Sequence, residues 1–160
     1  RGAMLRAMHA RIWVANLQAP DFDDHVRKLH GVAPAQLGVR PSLASRSLWA
    51  PAVAELAQLP GSKSAQEALS CVVRTWDCAL GVLGVSELHA SADDFLPLMA
   101  YIVVEARVSG LLSWVHLIAA FTHRDDSADM WFSHFMAAIG FIAQLQDAAD
   151  PPGDGGAANE

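Results

Sequence analysis

A chain of 160 residues that is 52% hydrophobic and carries a formal charge of −6 has the length and apolar content of one globular domain with a sizeable core. Asp147, Asp150, Asp154 and Glu160 supply four of the negative charges, so the rest is close to neutral and offers no basic field for nucleic acid or an anionic lipid surface. No run approaches the roughly 18 apolar residues of a membrane-spanning helix, and the N-terminus lacks the order of a signal peptide, so the expectation is a soluble cytosolic domain without direct membrane insertion.

Residues Ala3 to Leu17 have helical composition, with Leu5, Met8, Ile12 and Ala15 recurring every three or four positions, and Ala19-Pro20 ends the run. Asp21 is placed to cap a short helix from Phe22 to His30; Gly31 and Pro34 break it, and Gly38 to Pro41 keep the chain irregular. Trp49, Val53 and Leu56 form one face of the next helix, with Pro51 expected in its first turn and Pro60-Gly61 as its stop. Ser64 followed three residues later by Glu67 is a capping box. Behind it Leu69, Val72, Val73, Trp76, Leu80 and Leu83 repeat as one apolar stripe, a core helix of about five turns. Cys71 and Cys78 fall on this helix with Cα atoms roughly 10 Å apart, too far for a disulfide, and read as small buried hydrophobes. Gly84 to Ala90 reads as a loop.

The stretch Ser91 to Arg107, SADDFLPLMAYIVVEAR, joins a doubled carboxylate to the most apolar run of the chain. A proline lacks the N–H donor and fits a helix best in its first turn, so Pro97 predicts a start near Asp94, with Asp94 as N-cap and Asp93 just outside. From Phe95 to Val108 only Glu105 and Arg107 are charged, which predicts a buried helix with an acidic mouth. After the turn Ser109-Gly110, the residues Leu111, Trp114, Val115 and Ile118 mark a helix from Leu111 to Phe121, and Thr122 to Asp129 reads as a loop. The last helix, Met130 to about Gln146, has an apolar seam of Trp131, Phe135, Ala138, Ile142 and Leu145. Beside the seam lies a face of Met130, Ser133, Ala137 and Gly140, small or flexible residues able to accept a partner. No segment alternates with the period of a strand and nothing repeats at 20 to 50 residues. The fold class is therefore all-α, a compact bundle of six or seven helices. Its domains are an N-terminal helix over 1–20 flanking the core, a core over 21–147 and a disordered acidic Gly/Pro tail over 148–160.

Familiar catalytic patterns are absent. GSKS at Gly61 to Ser64 lacks the adjacent Gly-Lys and upstream glycine of a phosphate loop. No histidine pair lies at i, i+4 with a glutamate between, and Ser113, Ser133 and His134 lie in nothing resembling a nucleophile elbow, so no metal, cofactor or covalent chemistry is expected. The pair Asp93-Asp94 has a plain structural role at a helix start. A carboxylate outside the cap could also enter a partner's cationic pocket, meet a lysine and compete for a divalent ion.

The motif ADDFLP at Ala92 to Pro97, with the apolar run to Val104, resembles the signature of the vacuolar protein sorting 9 domain, the catalytic domain of exchange factors for Rab GTPases of the Rab-five subfamily. Four further blocks are similar in order and spacing: Pro34 to Leu59, Lys63 to Val73, Leu111 to Phe121 and Met130 to Leu145. The resemblance implies that Asp93 is a finger inserted into the GTPase nucleotide site, where it pairs with the phosphate-binding lysine and disfavours magnesium. It further implies that Pro97 lines a groove for the GTPase switch region, with the last helix as opposite wall. There Met130 occupies the position of the family's usual tyrosine and Ser133 that of its threonine or serine. The expected partner is a Rab-five-like small GTPase, GDP-bound and nucleotide-free, in endocytic and endosomal traffic, with recruitment to early endosomes through other modules or partners. The expected activity is nucleotide exchange, which moves no covalent bonds. An interaction module that keeps the fold without exchange activity is the alternative; an unrelated helical bundle is the third reading.

Overall fold

The computed structural model describes residues 19–85 and 92–145. Among them are six α-helices and no strand: α1 (Ala19–Lys28), α2 (Arg46–Leu56), α3 (Ala65–Val85), α4 (Ala92–Ala106), α5 (Leu111–Phe121) and α6 (Asp126–Gln144). Short 3-10 turns stand at Pro34–Leu37, Pro41–Leu43 and Leu59–Gly61. This is the all-α bundle expected from the sequence. The helix expected over 3–17, the tail over 148–160 and most of the loop before α4 lie outside the described residues.

All seven residues from Leu98 to Val104 are buried, which makes α4 the central element. It packs on α2, on α6 and on the turn at Pro34–Leu37, while α3 packs on α2, α5 and α6, and α1 closes the bundle against α5 and α6. Trp76, Tyr101, Val104, Ile118, Phe135 and Ile142 are all in the core as their periodicity requires. Phe95, expected there too, is only half-buried. In α6 the buried stripe is wider than a heptad seam: Phe132, Met136 and Ile139 join Phe135, Ala138 and Ile142, and Trp131 moves to the flank. Cys71 and Cys78 are free thiols; burial pushes both pKa values up, and the Cys71 thiol donates to the Glu55 carbonyl at 3.1 Å.

Several helices start earlier than expected, and two starts share a cause. Pro51 in α2 and Pro97 in α4 are each the sixth residue of the helix rather than a first-turn residue. A proline there deprives the carbonyl four residues back of its donor. The affected residues are Ser47 and Asp93, both exposed, so water can serve the freed acceptors. Asp94 is consequently a first-turn residue and not the N-cap. Ala19 and Pro20 belong to α1, which puts Asp21 in its first turn rather than at its cap. The loop expected before Met130 is shorter than Thr122 to Asp129, since α6 begins at Asp126 behind Asp125, whose side chain accepts the Ala128 N–H at 2.8 Å. At α3 the Ser64 hydroxyl accepts the Glu67 N–H at 3.1 Å, and Glu67 reaches back to the Lys63 N–H at 2.6 Å, one residue beyond the usual box.

Among the described residues no single helix is long and apolar enough to cross a membrane; the consecutive apolar helices α4 and α5 meet at 115°.

Candidate functional site

The acidic end of α4 is held from outside by the segment between α1 and α2. Trp49, fully buried in α2, donates its indole N–H to the Leu43 carbonyl at 2.6 Å and so fixes the Pro41–Leu43 turn. Upstream, Gly38 adopts φ +86, a region closed to most side chains, and a Cβ built there would stand 3.6 Å from the ring of Pro97. Between them Arg40 reaches Asp94 at 3.6 Å, with the Asp94 side chain 15% exposed.

The two aspartates are thereby separated in role. Asp94 is tied to the 38–43 segment, whereas Asp93 is exposed and, among the described residues, makes no ion pair or side-chain hydrogen bond. Both lie in the first turn of α4, where the positive end of the helix dipole favours a carboxylate.

Beside this end lies an apolar groove of about 230 Å³ lined by Phe95 and Leu96 of α4, His134 and Ala137 of α6, and Trp76 of α3. Trp76 is its floor. The ring stacks on Trp131 with centroids 5.6 Å apart and 20° between planes, and His134 meets the pair edge-on at 5.8 Å and 5.7 Å. Partial desolvation holds the His134 pKa below its ordinary value, although the residue as a whole is exposed. The Trp76 indole N–H has no hydrogen-bond partner among the described residues although it is sealed from water. Leu96 and Met130, at 38% and 45% exposure, are large apolar side chains left open at the surface.

Of the site residues named from the sequence, Asp93 and Pro97 belong to α4 and Met130 and Ser133 to α6, and none of the four lines the groove itself. Pro97 is half-buried under Gly38. Met130 is one turn before His134 and two before Ala137, so it extends the α6 wall beyond the groove; Ser133 is half-buried on the same helix. The start of α6 is fastened by Arg124, which reaches Asp129 at 2.9 Å, the Ile118 carbonyl at 3.2 Å and the Thr122 hydroxyl at 2.9 Å, and lies over the Phe132 ring at 4.9 Å. The sequence reading did not find Arg40, Gly38, Trp76 or His134 as parts of this site. Trp76 looked like any other member of the α3 stripe, and the Arg40 to Asp94 pairing spans too much chain for any spacing rule.

The family profile of the Vacuolar sorting protein 9 (VPS9) domain matches residues 49–147. Receptor-mediated endocytosis protein 6 of Caenorhabditis elegans is 31% identical over 150 residues, covering 91% of this chain and 12% of that protein. GTPase-activating protein and VPS9 domain-containing protein 1 of Xenopus laevis is 24% identical over 131 residues, covering 78% of this chain and 9% of its own length. A Receptor-mediated endocytosis protein 6 homolog of Drosophila pseudoobscura pseudoobscura is 26% identical over 154 residues, 89% of this chain and 9% of the relative. The chain thus spans about a tenth of the length of these relatives.

Proposed function

This chain belongs to the VPS9 domain family, a family of nucleotide-exchange domains, and we propose that it promotes GDP release from a small GTPase of the Rab-five type in endocytic traffic. The observation that carries the reading is the division of labour at the acidic end of α4. One carboxylate is clamped by Arg40 and the other stands free beside an apolar groove. The names of the endocytosis relatives support the cellular setting.

In this proposal the groove and the exposed Leu96 and Met130 take the apolar switch surface of the GTPase. That docking orients Asp93 toward the nucleotide site. Its carboxylate forms a charge-assisted hydrogen bond with the lysine that otherwise holds the phosphates of GDP, and its charge makes the position unfavourable for those phosphates and for the magnesium ion that bridges them. The complex thus stabilises the nucleotide-free GTPase, and GDP leaves. Pro97 shapes the groove entrance, and Ser133 offers a hydroxyl to the bound switch.

A second reading, binding without exchange, is favoured by one observation: Met130 presents a half-exposed thioether where the resemblance places a tyrosine, so no phenolic donor is available there. The experiment that separates the two is release of fluorescent GDP from a panel of Rab GTPases with and without the domain. Acceleration on a Rab-five-type member supports exchange, and binding with unchanged release supports the second reading.

A further inference from the structure

At the other end of α4, about 20 Å along the helix from Asp93, lies a polar cavity of about 60 Å³ lined by Asp23, Arg27, His30, Arg107 and Ser109 over an apolar floor. A single water needs roughly 10 to 15 Å³, so the space admits a compact group of several heavy atoms.

Three observations converge on it. Arg107 holds φ 52, which no other non-glycine among the described residues does, and a side chain in that conformation costs free energy that its surroundings must offset. Glycine would make the same turn without strain, yet an arginine stands there, and among the described residues its guanidinium makes no ion pair. The second observation is His30, whose Nε2 is buried and meets no hydrogen-bond partner in good geometry among the described residues, although the Val104 backbone acts on the ring. The third is charge. Arg27 and Arg107 both line the cavity, Arg27 engaging Asp24 through Nη1, against the single carboxylate of Asp23, whose Oδ2 accepts the Gly110 N–H at 3.0 Å.

We propose that this cavity binds a phosphate group, with Arg27 and Arg107 as its two guanidinium partners and His30 and Ser109 as further donors. Guanidinium groups match phosphate oxygens two at a time, which gives geometric selectivity as well as charge. The site is independent of the GTPase-facing end of α4 and of the exchange reading.

The protonation state of His30 supplies a readout. Burial, then the Arg107 charge, hold its pKa below the ordinary value; the Val104 carbonyl and Glu105 pull the other way, and Arg27 lowers it further. The charged groups around it are Asp23 and Arg27 from α1 and Glu105 and Arg107 from the end of α4. A phosphate anion seated among them offsets the arginine charges and so raises the His30 pKa.

The test is NMR of the His30 ring during titration with inorganic phosphate at constant ionic strength, on the whole chain and on Arg107→Gly. Glycine suits φ 52, so this variant keeps the turn and should melt at an unchanged or higher temperature. The expected result is a saturable shift with a raised His30 pKa in the natural chain, and binding weaker by about tenfold or more in Arg107→Gly. A parallel arm spins the two proteins with phosphatidylcholine vesicles that contain a minority of phosphatidic acid. Pelleting of the natural chain but not of Arg107→Gly identifies the phosphate as a lipid headgroup, and phosphate binding without pelleting identifies it as a soluble phosphate. A non-saturating shift, or equal saturable binding by a folded Arg107→Gly, overturns the proposal.

Discussion

Removing the carboxylate of Asp94 should destabilise the fold clearly more than removing that of Asp93. Asp94 stands 3.6 Å from Arg40, with the aspartate 15% and the arginine 42% exposed. Unit charges at that distance attract by about 1 kcal/mol in bulk water and about 5 kcal/mol at an effective dielectric of 20. The open arginine and its lost rotamer freedom bring the net to about 1 kcal/mol. The dipole of α4 adds about 0.3 to 1 kcal/mol for a first-turn carboxylate, so Asp94→Ala should cost about 1.5 kcal/mol and lower Tm by about 5 °C. Asp93→Ala, at an exposed position, loses only the dipole contribution of about 0.3 to 1 kcal/mol and should lower Tm by about 1 to 3 °C. Both Asp94 and Arg40 make further interactions, so the pair is isolated by a double-mutant cycle with Arg40→Ala, read by urea unfolding. A coupling of about 1 kcal/mol is expected. Coupling indistinguishable from zero, or equal costs for the two aspartates, would refute the division of roles on which the site rests.

Two further outcomes are expected. Met130→Tyr should raise the rate of GDP release, because it places a phenolic hydroxyl on the α6 face that Ser133 shares; a folded variant with no gain would show that this position does not face the nucleotide site. His134 is held below its ordinary pKa of 6.5 by partial desolvation, so the unfolded chain takes up a proton before the folded one does. Its contribution is present in full above pH 6.5 and is lost as the pH falls through the lowered folded value. Unfolding between pH 7.5 and 5.5 should therefore show a loss of stability that is smaller in His134→Gln, and identical pH profiles would contradict the assignment.

What the sequence disclosed about the fold depended on which signals were local. The ends of α5 were legible because Gly110 and Thr122 bracket an unbroken apolar stripe, and the start of α3 because Ser64 and Glu67 cap it within one turn. The starts of α2 and α4 were misplaced for one reason: a proline inside a helix is indistinguishable by sequence from a proline in its first turn, and only the exposure of Ser47 and Asp93 makes the interior position tolerable. In the site, Asp93, Pro97, Met130 and Ser133 were named through a resemblance of motifs. Arg40, Gly38 and Trp76 escaped notice because their roles come from contacts across the fold. An arginine 54 positions before its aspartate, a glycine whose need is its φ and a tryptophan marked by a solitary indole N–H carry no periodic signature.

The central claim is that Asp93 acts on the nucleotide of a bound GTPase, and its most direct measurement is the rate of fluorescent GDP release from a GTPase that the natural chain accelerates, compared for the natural chain, Asp93→Ala and Asp94→Ala. Loss of the charge-assisted contact made by Asp93 should cost the exchange transition about 2 to 4 kcal/mol, or roughly 30- to 1000-fold in rate. Asp93→Ala should therefore fall to near the intrinsic rate with its Tm lowered by no more than about 3 °C, while Asp94→Ala, less stable, should retain most of the acceleration when assayed well below its Tm. Equal acceleration by the natural chain and Asp93→Ala would contradict the account.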